Sequence, residues 1–216
     1  MRKKEIVLSV VVLAALVLGF GAYQAYRWYE GVLLDQQRAY ELSSVQNCAM
    51  GEAVTYSSDL YSREISFSGE LSVRVDKAVL YSDIASSPIA NATNVSNELF
   101  SSTMTGVDDF DLLMVDIVIK NLNAEPTSET QDGQTLFAMD DIAHVDPSTQ
   151  PVYLSEGGSG AAFGYFDLQP GSERRFSVAY AIRHDDIDPN NLYVTGSGGL
   201  GYRVHLTVEE QRHGGA

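Results

Sequence analysis

Phe110 to Asn121 reads FDLLMVDIVIKN, the most apolar run of the chain beyond its N-terminal segment. Val115, Ile117 and Ile119 recur at a strand's period of two, while Leu112, Met114 and Val118 place aliphatic groups on the opposite face as well. A strand apolar on both faces belongs in the middle of a sheet, so this run is the expected central strand and core of a β domain.

Working outward, Leu71 to Tyr81 (LSVRVDKAVLY) alternates Leu71, Val73 and Val75 against Ser72, Arg74 and Asp76, as a half-buried strand does. The alternation breaks at Lys77-Ala78-Val79, which predicts a bulge or edge bend. Ala53 to Tyr56 and Ile65 to Phe67 are shorter strands upstream. Between the two long strands, Ser82 to Asp109 is too long and polar for a hairpin and reads as a surface excursion, with a helical turn expected near Asn97 to Phe100. Asn91-Ala92-Thr93 and Asn94-Val95-Ser96 within it are formal glycosylation acceptors, a pattern that also arises by chance in such loops.

Downstream, Asp132-Gly133 is a tight turn into a strand at Leu136 to Met139, and Pro151 to Leu154 is another. Glu156 to Gly160 is a Gly/Ser-rich loop. Gly164 to Gly171 leads through a Pro-Gly turn into Arg174 to Ile182, where Phe176, Val178, Tyr180 and Ile182 share one face. Leu192 to Thr195 and Tyr202 to Val208 complete the set. Roughly seven to nine short strands with turn signals between them predict an all-β fold over residues 51–208, an immunoglobulin-like β-sandwich with long loops; a jelly roll or closed barrel is the alternative. Residues 209–216 read as a polar tail.

The N-terminus differs in kind. Ile6 to Ala22 carries no charge, and continued through Tyr26 it spans about 31 Å as a helix, against a bilayer core of about 30 Å. Residues 6–26 are therefore the expected transmembrane anchor. Arg2, Lys3 and Lys4 precede it, which keeps residues 1–5 cytoplasmic and places the remainder outside; Tyr23, Tyr26, Trp28 and Tyr29 mark the outer interface. Residues 27–50 read as a stalk or linker. A cleaved secretory signal, with secretion of the rest, is the alternative. The retained anchor is preferred because the apolar run is long and no clean small-x-small site precedes the aromatic cluster.

The chain has 14 Lys plus Arg against 29 Asp plus Glu, a formal net charge of −15. Arg2, Lys3, Lys4 and Arg27 lie before residue 31 with only Glu5 and Glu30 against them, so the part beyond is more acidic still. An acidic surface disfavours nucleic acid and anionic lipid as partners. The single cysteine, Cys48, excludes an internal disulfide; the fold must rest on its core. Cys48 is either an unpaired thiol or a link between two chains. An exported domain without staples fits a bacterial, Gram-positive surface protein.

Catalytic chemistry finds little support. His144, His184, His205 and His213 are the available imidazole bases, and none sits in a recognisable motif, so no catalytic residues are expected. Asp186, Asp188 and Asn190 alternate like the first ligands of a calcium loop, but the glycine and the twelfth-position glutamate are missing, and Asp-Pro-Asn-Asn is a good turn former. Asp108, Asp109 and Asp111 form a weaker cluster. No cofactor is implied.

VDIVIKN (Val115 to Asn121), YFDLQPG (Tyr165 to Gly171) and FSVAYAI (Phe176 to Ile182) together resemble the telokin-like, immunoglobulin-like domains of small Gram-positive surface proteins and lipoproteins. The resemblance covers residues 50–208 and its motifs are structural: a central strand ending in Lys-Asn and a Leu-x-Pro-Gly turn before a late strand. It implies a fold and an extracytoplasmic place, and brings no catalytic residues. Cys48 lies far from the apolar run, so the lipid anchor of the lipoprotein members is not implied here. The expectation is a single-pass surface protein whose sandwich serves protein interaction or scaffolding, with an envelope protein as partner. The alternative is a ligand- or cation-sensing domain coupled to a membrane partner.

Overall fold

The computed structural model describes residues 20, 23, 24, 26–29, 31–33, 45–60, 65–82, 85–92, 95, 110–130, 133–146, 151–156, 164–188 and 191–211. The chain divides into two compact units, residues 1–43 and 44–216. In the first, the described residues are helical, and Phe20, Tyr23, Tyr26, Trp28 and Tyr29 are all exposed. Among the described residues no helix is long and apolar enough to cross a membrane. The expected anchor at 6–26 lies largely outside them.

The second unit is an all-β fold of several sheets. Its largest sheet is built on β4 (Glu70–Tyr81), β5 (Phe110–Asn121) and β12 (Glu173–Arg183), all antiparallel neighbours, with β10 (Pro151–Leu154) beyond β12. β2 (Ala53–Ser57) and the parallel β15 (Glu209–Gln211) pair with opposite ends of β4. A second sheet runs β1 (Gln46–Cys48), β14 (Tyr202–His205), β13 (Tyr193–Thr195) and β9 (His144–Asp146), with β1 parallel to β14. Two small sheets pair β3 (Phe67–Ser68) with β6 (Glu125–Pro126), and β8 (Thr135–Ala138) with β7 (Ser128–Glu129) and β11 (Tyr165–Phe166).

β5 is central, as its sequence predicts, and its two faces enter two different cores. Leu113, Val115, Ile117 and Ile119 join Leu71, Val73 and Val75 of β4, Phe176, Val178 and Tyr180 of β12, and Val194, Tyr202 and Val204 of the second sheet in the main cluster. Burial of apolar area on this scale is what lets the fold stand without a disulfide. On the other face Leu112 and Phe110 pack with Val79, Tyr81, Ala179, Ala181 and Ile89 in a smaller cluster, against which Ala92 and Val95 also pack. The helical turn expected near Asn97 to Phe100 lies outside the described residues, as do Thr93 and Asn94 of the glycosylation triplets.

The break foreseen near Lys77 is a bulge one position earlier: Val75 pairs with Ile117 and Lys77 with Asp116, leaving Asp76 as the extra residue. Other bounds move for physical reasons. The strand predicted at Leu136 to Met139 stops at Ala138, and Met139–Ile142 forms one helical turn. Three buried tyrosines hold that turn: Tyr56 donates to the Asp141 carbonyl at 3.0 Å, Tyr202 to Ile142, and Tyr180 to Ala143 at 2.5 Å. They satisfy carbonyls that a helix end leaves open. Strand β14 ends at His205, one position before the Leu206 N–H, which donates to the Leu192 carbonyl at 2.9 Å in the same register. Of the predicted Ile65 to Phe67 strand only Phe67 is in β3, which runs on to Ser68. The sheets also take in residues beyond 51–208, since β1 lies in the expected linker and β15 in the expected tail.

A candidate binding cleft on the outer face of the large sheet

The outward register of the large sheet changes character along its length. Ser72, Lys120 and Glu173 lie in one row across β4, β5 and β12, and Arg74, Val118 and Arg175 in the next. Lys77, Asp116 and Ser177 make a third row; beyond it come Val79, Met114 and Ala179, then Tyr81, Leu112 and Ala181. Polar rows thus meet apolar ones at Asp116. A cleft of about 320 Å³ opens at that boundary.

Its floor is Val79 and Met114, its walls are Tyr81, Tyr153 of β10 and Pro88 with Ile89 from the excursion, and its polar end is Lys77, Asp116, Ser177 and Ser155. The lining is mixed, with apolar side chains set beside convergent polar groups that can fix a ligand's orientation. Asp116 is held in place: the Ser177 hydroxyl donates to its Oδ1 at 2.6 Å, and Arg175 Nη1 lies 4.0 Å from its Oδ2. Lys77, directly across the ladder, pairs outward with Glu209 at 3.5 Å.

A charged network borders the cleft. Arg74 Nε donates to Asp76 Oδ1 at 2.7 Å and Arg175 Nη2 to Asp76 Oδ2 at 2.5 Å. The Arg74 hydrogen bond, with Arg175 adding, holds the Asp76 carboxyl below its ordinary value against the upward push of partial burial. One carboxylate shared by two guanidiniums fixes both side chains on the outer face.

The residues that the sequence singles out for chemistry are not gathered there. Asp186 closes a single 3₁₀ turn, His184–Asp186, and Asp188 begins a turn in which the Asn191 N–H donates to the Asp188 carbonyl at 2.8 Å; Asn190 lies outside the described residues. Among the described residues no group of three or more His, Cys, Asp or Glu is placed to hold a metal ion. His184 Nδ1 sits 3.0 Å from Asp111 Oδ1, an ion-pair distance without hydrogen-bond alignment, while Asp108 and Asp109 lie outside the described residues. His144 Nδ1 is 3.1 Å from Asp140 Oδ1 on the second sheet. His205 is exposed against the edge of Tyr193, and His213 is outside the described residues. Cys48 is half-buried; burial, with Glu52 adding, raises its thiol pKa and keeps it protonated.

The cleft residues Lys77, Met114, Asp116, Tyr153 and Ser177 carry no motif. One signal was present in the sequence: apolar residues on both faces of β5 require a second cover, and a partial cover leaves a hollow. Compared with known proteins, the chain matches no family model, no curated protein and no solved structure.

Proposed function

We propose that the chain is a single-pass bacterial surface protein whose extracytoplasmic β domain is a non-catalytic binding module, with the cleft over Met114 as its contact site. The observation that carries the binding reading is the cleft itself, a hollow of mixed lining with a fixed carboxylate and a lysine at its polar end. Function on a sandwich resides in such local sites rather than in the fold.

The immunoglobulin-like, telokin-like assignment draws support from strand order. Taking β4, β5, β9, β10, β12, β13 and β14 as A to G, the large sheet reads A-B-E-D and the second sheet C-F-G, the arrangement of an immunoglobulin constant-type domain. β1, β2 and β15 are additions at the edges. The anchor and its cytoplasmic N-terminus draw support from the uncharged run Ile6 to Ala22 behind three basic residues, and from the exposed aromatic rings that follow. The partner on this reading is an envelope protein.

The test places a photo-crosslinking amino acid at Tyr153 of the full chain in its native envelope, with a control at the exposed His205. A discrete adduct from position 153 alone is expected. A turnover activity abolished by substitution in the cleft would overturn the reading in favour of an enzyme.

A further inference from the structure

The geometry points to a peptide segment as the ligand of this cleft, one apolar side chain seated on Met114 between Tyr81 and Tyr153, its own peptide groups spanning Asp116 and Lys77. The inference rests on the binding-module reading above. Its basis is the unusual pairing of polar groups at the cleft's closed end. Lys77 and Asp116 are direct partners in the β4–β5 ladder, yet Lys77 bonds outward to Glu209 and Asp116 sideways to Ser177 and Arg175.

A donor and an acceptor of opposite charge therefore stand side by side at the polar end of the cleft, next to Val79 and Met114. A peptide group matches them, since its N–H can donate to a carboxylate and its C=O can accept from an ammonium. A purely apolar molecule would displace water from Asp116 and Lys77 and leave unmet the hydrogen-bonding capacity that Ser177, Arg175 and Glu209 do not take up, which costs free energy on desolvation. An anion would meet Asp116 and a cation would meet Lys77, so a neutral, dipolar group is favoured at this end.

The side-chain part of the ligand follows from the rest of the cleft. Val79, Met114 and Ile89 are aliphatic or thioether surfaces, and Tyr81 and Tyr153 are flat ones, a combination that packs branched aliphatic and aromatic side chains. Methionine adapts to more than one shape.

The experiment uses the full chain in detergent micelles, labelled at the methyl carbons of its five methionines, with Met114→Leu assigning the relevant signal. The probes are N-acetyl-leucinamide, N-acetyl-glycinamide and free leucine. Expected is a saturable shift of the Met114 signal with N-acetyl-leucinamide, at least tenfold weaker with the other two, and weakened about tenfold by Asp116→Ala or Lys77→Met. Lys77 is half exposed, so its variant tests the idea even where Asp116→Ala impairs folding. Free leucine binding as well as its blocked form would overturn the peptide assignment in favour of a small zwitterion. A silent Met114 signal beside an intact Tyr153 crosslink would sink the peptide assignment alone, and loss of both would sink the binding reading beneath it.

Discussion

Asn121 Nδ2 donates to the Leu168 carbonyl at 2.7 Å and to the Ala124 carbonyl at 2.9 Å, with no exposure of its side chain to solvent. Its Oδ1 accepts the Ala124 N–H at 2.7 Å, and its own carbonyl accepts the Gly171 N–H at 2.8 Å. The Lys-Asn that ends the central strand and the Leu-x-Pro-Gly turn before the late strand are thus two halves of one hydrogen-bonded pin. Gly171 completes it with φ +81°, a conformation open to glycine and strained for other residues.

Asn121→Leu is expected to destabilise the protein by about 3 kcal/mol, because it removes the amide that serves the buried Leu168 and Ala124 backbone groups. Asn121→Asp, which keeps the shape and loses the donor, should cost a similar amount. Urea unfolding followed by tyrosine fluorescence measures both. Values within experimental error of the parent chain would show that Leu168 and Ala124 find other partners.

Gly196 faces Tyr56 too closely for any side chain. A Cβ at this position would lie 2.5 Å from the Tyr56 hydroxyl and 2.6 Å from the Leu200 carbonyl, and the Tyr56 hydroxyl also accepts the Ser197 N–H at 3.2 Å. Gly196→Ala is expected to cost about 2 kcal/mol through overpacking. Tyr56→Phe and Tyr180→Phe, each losing one hydrogen bond to the helical turn, should cost about 1 kcal/mol apiece. Burial raises the Tyr180 phenol well above its ordinary pKa, so it remains a donor across the accessible pH range.

Acid should weaken the charged network in a defined direction. A carboxyl whose folded-state pKa is depressed contributes stability above its unfolded-state pKa, and that contribution is lost as pH falls through the folded value. For Asp76 the loss begins below the ordinary value of 3.8. Asp76→Asn is expected to lower the urea midpoint at pH 7 and to flatten its dependence on acid below that point. An unchanged acid limb would mean that Arg74 and Arg175 contribute nothing through Asp76.

Calcium should leave the unfolding temperature of the full chain unchanged at millimolar concentration. Asp188 is engaged in a turn, and Asp186 closes a separate 3₁₀ turn. A site filled to 100 times its dissociation constant would add about 2.7 kcal/mol, readily seen as a raised midpoint. Such a rise, abolished by Asp186→Asn, would restore the cation-sensing alternative.

Strands with strong local patterns were legible. Phe110–Asn121 and Pro151–Leu154 begin and end where their sequences suggest, because alternation and flanking turn residues act over a few positions. β1 and β15 were not legible, since each is short, polar and paired in parallel with a strand far away in the chain. Met139 also misled: it continues an apolar run, and the turn there is held by tyrosine hydroxyls arriving from β2, β12 and β14 and by the Met139 N–H donating to Gly164, all distant in the chain. The cleft depends on register, because Lys77, Asp116 and Ser177 become neighbours only once three strands are aligned. Asp186 and Asp188 stand out in the sequence by charge and spacing, and among the described residues no three His, Cys, Asp or Glu are placed to hold a metal ion.

The bulge at Asp76 separates the strand's architecture from its chemistry. Leu71, Val73 and Val75 face the main core on one side of it, and Ala78 and Leu80 on the other. Remove Asp76 from the count and those five residues fall into unbroken alternation. Loss of this one codon would therefore keep every other side chain of β4 on its present face, while stripping Arg74 and Arg175 of their shared carboxylate. The outer surface can gain or lose its ionic cluster by a single insertion or deletion, leaving the interior free of any matching change.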